Sequence, residues 1–160
     1  MAYEEKFMKK ALALAKKAYE QDEVPVGAVI VKDGVVVASA YNKRESSQDA
    51  TAHAEILAIK KACKKVKNDR LDNMVLYTTK EPCLMCMGVI LSARIKKIVF
   101  GAKDKRFGTS HLAQDNNFNH KCECVGGVLE NECSNMLTDF FSHLRSKNES
   151  IRKIKNSKQG

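Results

Sequence analysis

The sequence predicts an α/β domain in which helices cover a mixed sheet. Three observations carry this. A strand hairpin near the start is followed by strands that alternate with helical patterns. The strand segments are short and almost continuously apolar, as expected when both faces of a sheet are covered. The chain has 160 residues, 44% hydrophobic and 29% charged, enough for one domain with its own core.

Each element follows from its residues. Across 3–20, Phe7, Ala11, Leu14 and Ala18 recur at helical spacing with Lys9, Lys10, Lys16 and Lys17 between them, an amphipathic helix. VPVGAVIVKDGVVVASA reads as two strands joined at Asp33-Gly34, a hairpin turn pair. Residues 43–50 form a polar loop, and Thr51 or Asp49 is placed to cap a helix running to about Val66. MVLYTT (74–79) is a strand, and Pro82 suits the first position of a helix that ends near Ala93. KKIVFGA (96–102) is the next strand, followed by a loop over 103–120 with a short helix around 110–115. CECVGGVL reads as a final strand. A last helix over 130–146 carries Cys133, Met136, Leu137, Phe140, Phe141 and Leu144 on its apolar side. The expected organisation is a single domain over 1–146 and a basic C-terminal tail over 147–160, without repeats or linkers.

Composition narrows the class. No apolar run approaches the roughly 20 residues that span a bilayer. The start, MAYEEKFMKK, lacks the apolar region of a secretory signal. Six cysteines without an export signal favour reduced thiols, metal ligands or packing over disulfides. These features predict a cytoplasmic protein. The net charge of +9 is clustered: residues 60–70, 94–106 and 145–160 each carry six basic side chains against one acidic. Such clusters suit a polyanion, most obviously nucleic acid, although each alone also fits a solvated face.

The chemistry-bearing residues sit at two expected helix starts. TAHAEILAIK places His53 and Glu55 at one, and KEPCLMCMGVI places Cys83 and Cys86 at the other. One histidine and two cysteines give a tetrahedral zinc three ligands and leave a position open, the arrangement of a catalytic site. Glu55 then serves as the base that takes a proton from water and returns it to a leaving group. His-x-Glu followed by Pro-Cys-x-x-Cys is the signature of zinc-dependent nucleobase deaminases. Cys122 and Cys124, with His120 and Cys133 nearby, read better as small core residues than as a second zinc site. Cys63 reads as packing.

With these pieces assembled, the chain resembles the bacterial tRNA-specific adenosine deaminases of the cytidine-deaminase-like superfamily. The matching stretches are VPVGAVIV, YNKR, DATAHAEI, EPCLMCMGVILSARIKKIVFGAKD, NFNH and DFFSHLR. The resemblance implies a three-layer αβα sandwich with a mixed five-stranded sheet, a homodimer, and one zinc ion (Zn2+) per subunit on His53, Cys83 and Cys86. It implies hydrolytic conversion of adenosine to inosine at the wobble position of an arginine tRNA anticodon, with Glu55 catalytic. Asn42 would hold the flipped base, Pro25, Val26 and Ala54 would line its pocket, and Asp104, Asn119, Phe141 and Arg145 would lie near the anticodon stem-loop. Two departures stand out. Ala50 replaces a usual proline, and the stretch between Gly101 and Phe118 is shorter by about one helical turn.

Two rival readings remain at this level. One is a deaminase of the same fold acting on a free base or nucleotide such as guanine, cytosine or deoxycytidylate. The other is an RNA-binding module with a structural zinc, for which Glu55 would have no use.

Overall fold

The computed structural model describes residues 3–160. Helix α1 (Glu5–Glu20) precedes the hairpin of β1 (Gly27–Lys32) and β2 (Val35–Tyr41). Then come α2 (Ala54–Val66), β3 (Val75–Lys80), α3 (Leu84–Ser92) and β4 (Lys97–Ala102). A 3-10 turn (Ser110–Gln114), β5 (Glu123–Val125) and α4 (Glu130–Ser157) complete the chain. The five strands lie in the order β2-β1-β3-β4-β5. β1 runs antiparallel to β2 and β3, whereas β3, β4 and β5 are parallel, so the sheet is mixed.

The apolar strands are explained by two cores. Ala28, Ile30, Leu76 and Ile98 face α2 and α3, packing with Ile56, Ile59, Met87 and Ile90. Their neighbours Val29, Val31, Tyr77 and Val99 face the opposite side, against Phe7, Met8 and Ala11 of α1 and Cys133 of α4. Alternate side chains of the inner strands thus enter different cores, which is why those strands read as nearly continuous apolar runs. The result is the expected three-layer sandwich. In the hairpin, Asp33 and Gly34 have φ of 50° and 74°, the paired left-handed geometry that an Asp-Gly turn supplies. α1 approaches β1 so closely that a Cβ on Gly27 would overlap the carbonyl oxygen of Ala11.

Several boundaries differ from the sequence reading. Neither Thr51 nor Asp49 caps α2. Asp49 Oδ1 instead accepts from the Thr51 N–H at 2.9 Å and its hydroxyl at 2.7 Å, closing a local turn. The N-cap of α2 is His53, so it lies just before the first turn rather than within it. Pro82 is not the first residue of α3, because Cys83 is the N-cap there. β5 spans three residues, since Gly127 turns at φ 83° and Gly126 abuts the Phe100 ring. The last helix does not stop at 146 but runs to Ser157, through residues expected to be tail. Its apolar side is buried only at Cys133 and Phe140, and every residue from 141 to 160 is exposed. Among the described residues, no helix is long and apolar enough to cross a membrane.

Candidate active site

The parallel strand β3 delivers its carboxyl end to the start of α3, and α2 begins beside it on the same face of the sheet. Ligands of open α/β sheets bind at this edge. His53 and Cys83 are matching N-caps, with extended backbones (φ −73°, ψ 149° and φ −77°, ψ 175°) and no side-chain cap bond. Each contributes its carbonyl to the first helical hydrogen bond, from Leu57 N–H and Met87 N–H. Their side chains are therefore free to meet. Cys86, three residues on, turns onto the same side.

His53 Nδ1 lies 3.6 Å from Cys83 Sγ and 3.4 Å from Cys86 Sγ. The three donor atoms fall within 4.8 Å of one another, and no other group of three among the described residues does so. A tetrahedral zinc with bonds of about 2.3 Å to sulfur and about 2.0–2.1 Å to nitrogen has nitrogen–sulfur edges of about 3.5 Å. The donors already stand at that spacing, and their types suit the ion. Their protonation points the same way. The Cys83 thiol is pulled to about 3 by a hydrogen bond from the Cys86 thiol and, against the cost of burial, by His53. Cys86 moves upward, because Cys83, burial and the Glu55 carboxylate all disfavour a second thiolate. His53 is raised, chiefly by its hydrogen bond to Cys83. A dication relieves this competition by replacing the shared protons.

Glu55 lies beside the cluster, only 4% exposed. The Thr78 hydroxyl donates to its Oε1 at 2.8 Å, and the Cys86 thiol to its Oε2 at 3.3 Å. Thr78 thus holds one oxygen and leaves the other toward the metal donors. The cluster and Glu55 open into a cleft of about 460 Å³ that Val26, Asn42, Ala54, Asp104 and Phe141 also line. Asn42 is fixed by donating Nδ2–H to the Val24 carbonyl at 3.3 Å and accepting the Arg44 N–H at 3.2 Å.

Three expected residues do not line this cleft. Pro25 is buried behind its neighbours Val24 and Val26. Asn119 is exposed, with its carbonyl accepting from Arg94 at 3.1 Å. Arg145 lies along α4 beside Asn148 and Arg152. Conversely, sequence reasoning missed Thr78, Lys80, Glu81, Leu84 and Phe107, which belong to the site or its rim. The available signal was the Thr78-Thr79 pair ending an apolar strand at the sheet edge where ligands bind. The remaining cysteines are packing. Cys122 and Cys133 are held up to about 12 and Cys124 to about 11, in each case first by burial, and inert thiols result. His120 Nε2 is engaged with the Ile95 carbonyl at 2.7 Å.

Comparison with known proteins agrees with this geometry. A family model described as MafB19-like deaminase matches residues 3–145. A tRNA-specific adenosine deaminase of Bacillus subtilis is 48% identical over 157 residues, covering 96% of this chain and 98% of its own length. That of Haemophilus influenzae is 45% identical, covering 89% and 86%. A solved structure from a study of A-to-I editing by tRNA:A34 deaminases is 38% identical with a TM-score of 0.81, covering 84% of this chain and 100% of that one. A guanine deaminase of Nitrosomonas europaea, 22% identical over 88% of this chain and 85% of its own, shares the fold with a TM-score of 0.77. This chain belongs to the MafB19-like deaminases and, among them, to the tRNA-specific adenosine deaminases.

Proposed function

We propose that the chain deaminates adenosine to inosine at the wobble position of a tRNA anticodon. Zinc would be held by His53, Cys83 and Cys86, and Glu55 would carry protons. When bound, zinc supplies the Lewis acidity that lets water act as a nucleophile at neutral pH. Glu55 accepts the proton of the attacking water and delivers it to N1 of the adenine as oxygen bonds to C6. Glu55 then takes the remaining proton from the new C6 hydroxyl and passes it to the exocyclic amine; the bond from C6 to that nitrogen breaks, the C6 carbonyl forms, and ammonia leaves. Thr78 keeps Glu55 oriented through these transfers by its bond to Oε1. Asn42 would hydrogen-bond the base edge, and Val26 and Ala54 would provide apolar wall, a reading supported by their all lining the cleft. Flipping the base from its stack costs a few kcal/mol, less in a single-stranded loop than in a duplex.

The observation that carries this reading is the buried Glu55 carboxylate beside three metal donors at the floor of an open cleft. A structural zinc module would have no role for it. The tRNA assignment draws support from the relatives' names and from the basic clusters, which suit phosphates. An arginine tRNA as target and pairing of two copies are carried by the motif resemblance, and a cytoplasmic setting by the composition and cysteine usage.

The test is to incubate the zinc-loaded protein with an arginine-tRNA anticodon stem-loop and, separately, with guanine, cytosine and deoxycytidylate. Inosine at the wobble nucleotide with inert free bases is the expected result. Turnover of a free base with an untouched stem-loop would overturn the proposal in favour of a small-molecule deaminase.

A further inference from the structure

The loop after β4 presents Phe107, 60% exposed, at the rim of the cleft. Scattered exposed apolar side chains need no explanation, but Phe107 is neither isolated nor loose. Leu84 and Phe141, 66% and 38% exposed, line the same cleft. The loop is clamped from several sides. Asp104 Oδ1 accepts from both the Arg106 and Phe107 N–H groups at 3.0 Å, and the Asp104 carbonyl accepts from Gly108 N–H at 2.9 Å. The Glu81 carboxylate accepts from Asp104 N–H at 3.1 Å and Ser110 N–H at 3.0 Å. Thr109 donates its hydroxyl to the Pro82 carbonyl at 2.9 Å. A side chain on Gly108 would collide with the Glu81 carboxylate, so the wrap is tight. Glu81 and Pro82 directly precede Cys83, and the ring is thereby held in fixed relation to a metal donor.

An ordered aromatic ring in water is a poor use of apolar surface unless a flat partner covers it. The Arg106 guanidinium stands 4.9 Å from the ring centroid, bringing positive charge to the same spot, with Lys103 and Lys105 adjacent in sequence and Arg44 on the cleft wall, where Lys80 is already paired with Asp104 at 3.3 Å. Aromatic face plus cations is the chemistry that holds a single-stranded nucleotide: the ring stacks on a base and the cations meet its phosphate. We infer that Phe107 is a stacking platform for an RNA base flanking the flipped adenine, with Arg106 as its cationic backing. The inference rests on the tRNA reading above and adds a residue that fixes how the strand enters the cleft. Stacking tolerates any base identity, so Phe107 governs grip on the strand rather than choice of sequence.

The experiment compares wild type, Phe107→Ala and Phe107→Trp on an anticodon stem-loop and on stem-loops made abasic at either neighbour of the target. Phe107→Ala is expected to raise KM roughly 5- to 100-fold with kcat within about twofold, and Phe107→Trp to restore it. At one neighbour, the abasic change weakens wild type by a similar factor and Phe107→Ala little further. An unchanged KM in Phe107→Ala, or equal additional losses at both abasic positions, would overturn the platform. So would a change in oligomeric mass, which would make the ring a contact between copies, or a fall in kcat with lost zinc. If wild type itself leaves the stem-loop unmodified, the tRNA reading fails and this inference falls with it. If wild type is active and Phe107→Ala matches it, the platform alone fails.

Discussion

At the scale of single residues, the site depends on which atoms share protons. Glu55 has two oxygens with different duties: Oε1 is held by Thr78 and Oε2 faces Cys86. Removing the Thr78 hydroxyl with Thr78→Val leaves a buried carboxylate oxygen without its donor. Hydrogen bonds to charged groups are worth about 1.5–3 kcal/mol, so kcat is expected to fall roughly 10- to 100-fold with zinc retained. Thr78→Ser should recover most of it. Steady-state kinetics with metal analysis checks this, and unchanged kcat in Thr78→Val would remove Thr78 from the mechanism. His53, Glu55, Cys83 and Cys86 were legible because their residue types are uncommon at helix starts and their spacing is specific. Thr78 was not, because a strand threonine looks like ordinary β-propensity until its register places it under the carboxylate. Pro25 misled for a related reason: in an extended segment successive side chains point opposite ways, and its neighbours Val24 and Val26 took the cleft.

Among elements, α4 departs most from expectation. Its 28 residues make a rod of about 42 Å, yet only its first three turns find the sheet. Sequence periodicity marked Cys133 and Phe140, which are buried, and Met136 and Leu137, which are partly so, but it also marked Phe141 and Leu144, which are exposed. Beyond Arg145 no core packing sets a boundary, and good helix formers carry the helix on through Lys147, Glu149, Arg152, Lys153 and Lys155. Deleting 146–160 removes exposed surface and five of the six basic residues of that cluster. The truncated chain should keep its denaturation midpoint and its kcat. Its affinity for tRNA should fall, with the salt dependence of log K flattened by roughly 0.7–0.9 for each phosphate that is no longer neutralised. Binding titrations between low and moderate salt test this. An unaltered salt slope would make the extension a solvated helix with no part in binding.

Across the whole molecule, the layers followed from apolar strands between amphipathic helices, but strand pairing did not. Nothing in the run at 27–32 says that β1 pairs antiparallel with β3, since the two strands are separated in the chain by β2 and all of α2. That pairing buries β1 centrally and leaves the parallel β3 and β4 to aim their carboxyl ends at the cleft. The two cores on either face are built mainly of aliphatic and aromatic side chains, with only Cys86 of the candidate metal donors buried among them and Cys83 packed at the edge. Stripping zinc with a chelator should therefore leave the far-ultraviolet circular dichroism intact. It should lower stability by about 4 kcal/mol relative to protein in metal at a thousandfold excess over Kd. Collapse of the secondary structure on chelation would instead make the ion a folding requirement.

The proposed division of labour has three side chains binding the ion while a fourth moves protons. Zinc content and inosine formation on the stem-loop, measured together in wild type, Glu55→Gln and Cys83→Ala, test it most directly. Expected are one zinc per chain and turnover in wild type, one zinc and a loss of at least about 100-fold in turnover in Glu55→Gln, and loss of both in Cys83→Ala. Inosine formation by Glu55→Gln at the wild-type rate, or full activity in wild-type protein freed of metal, would contradict it.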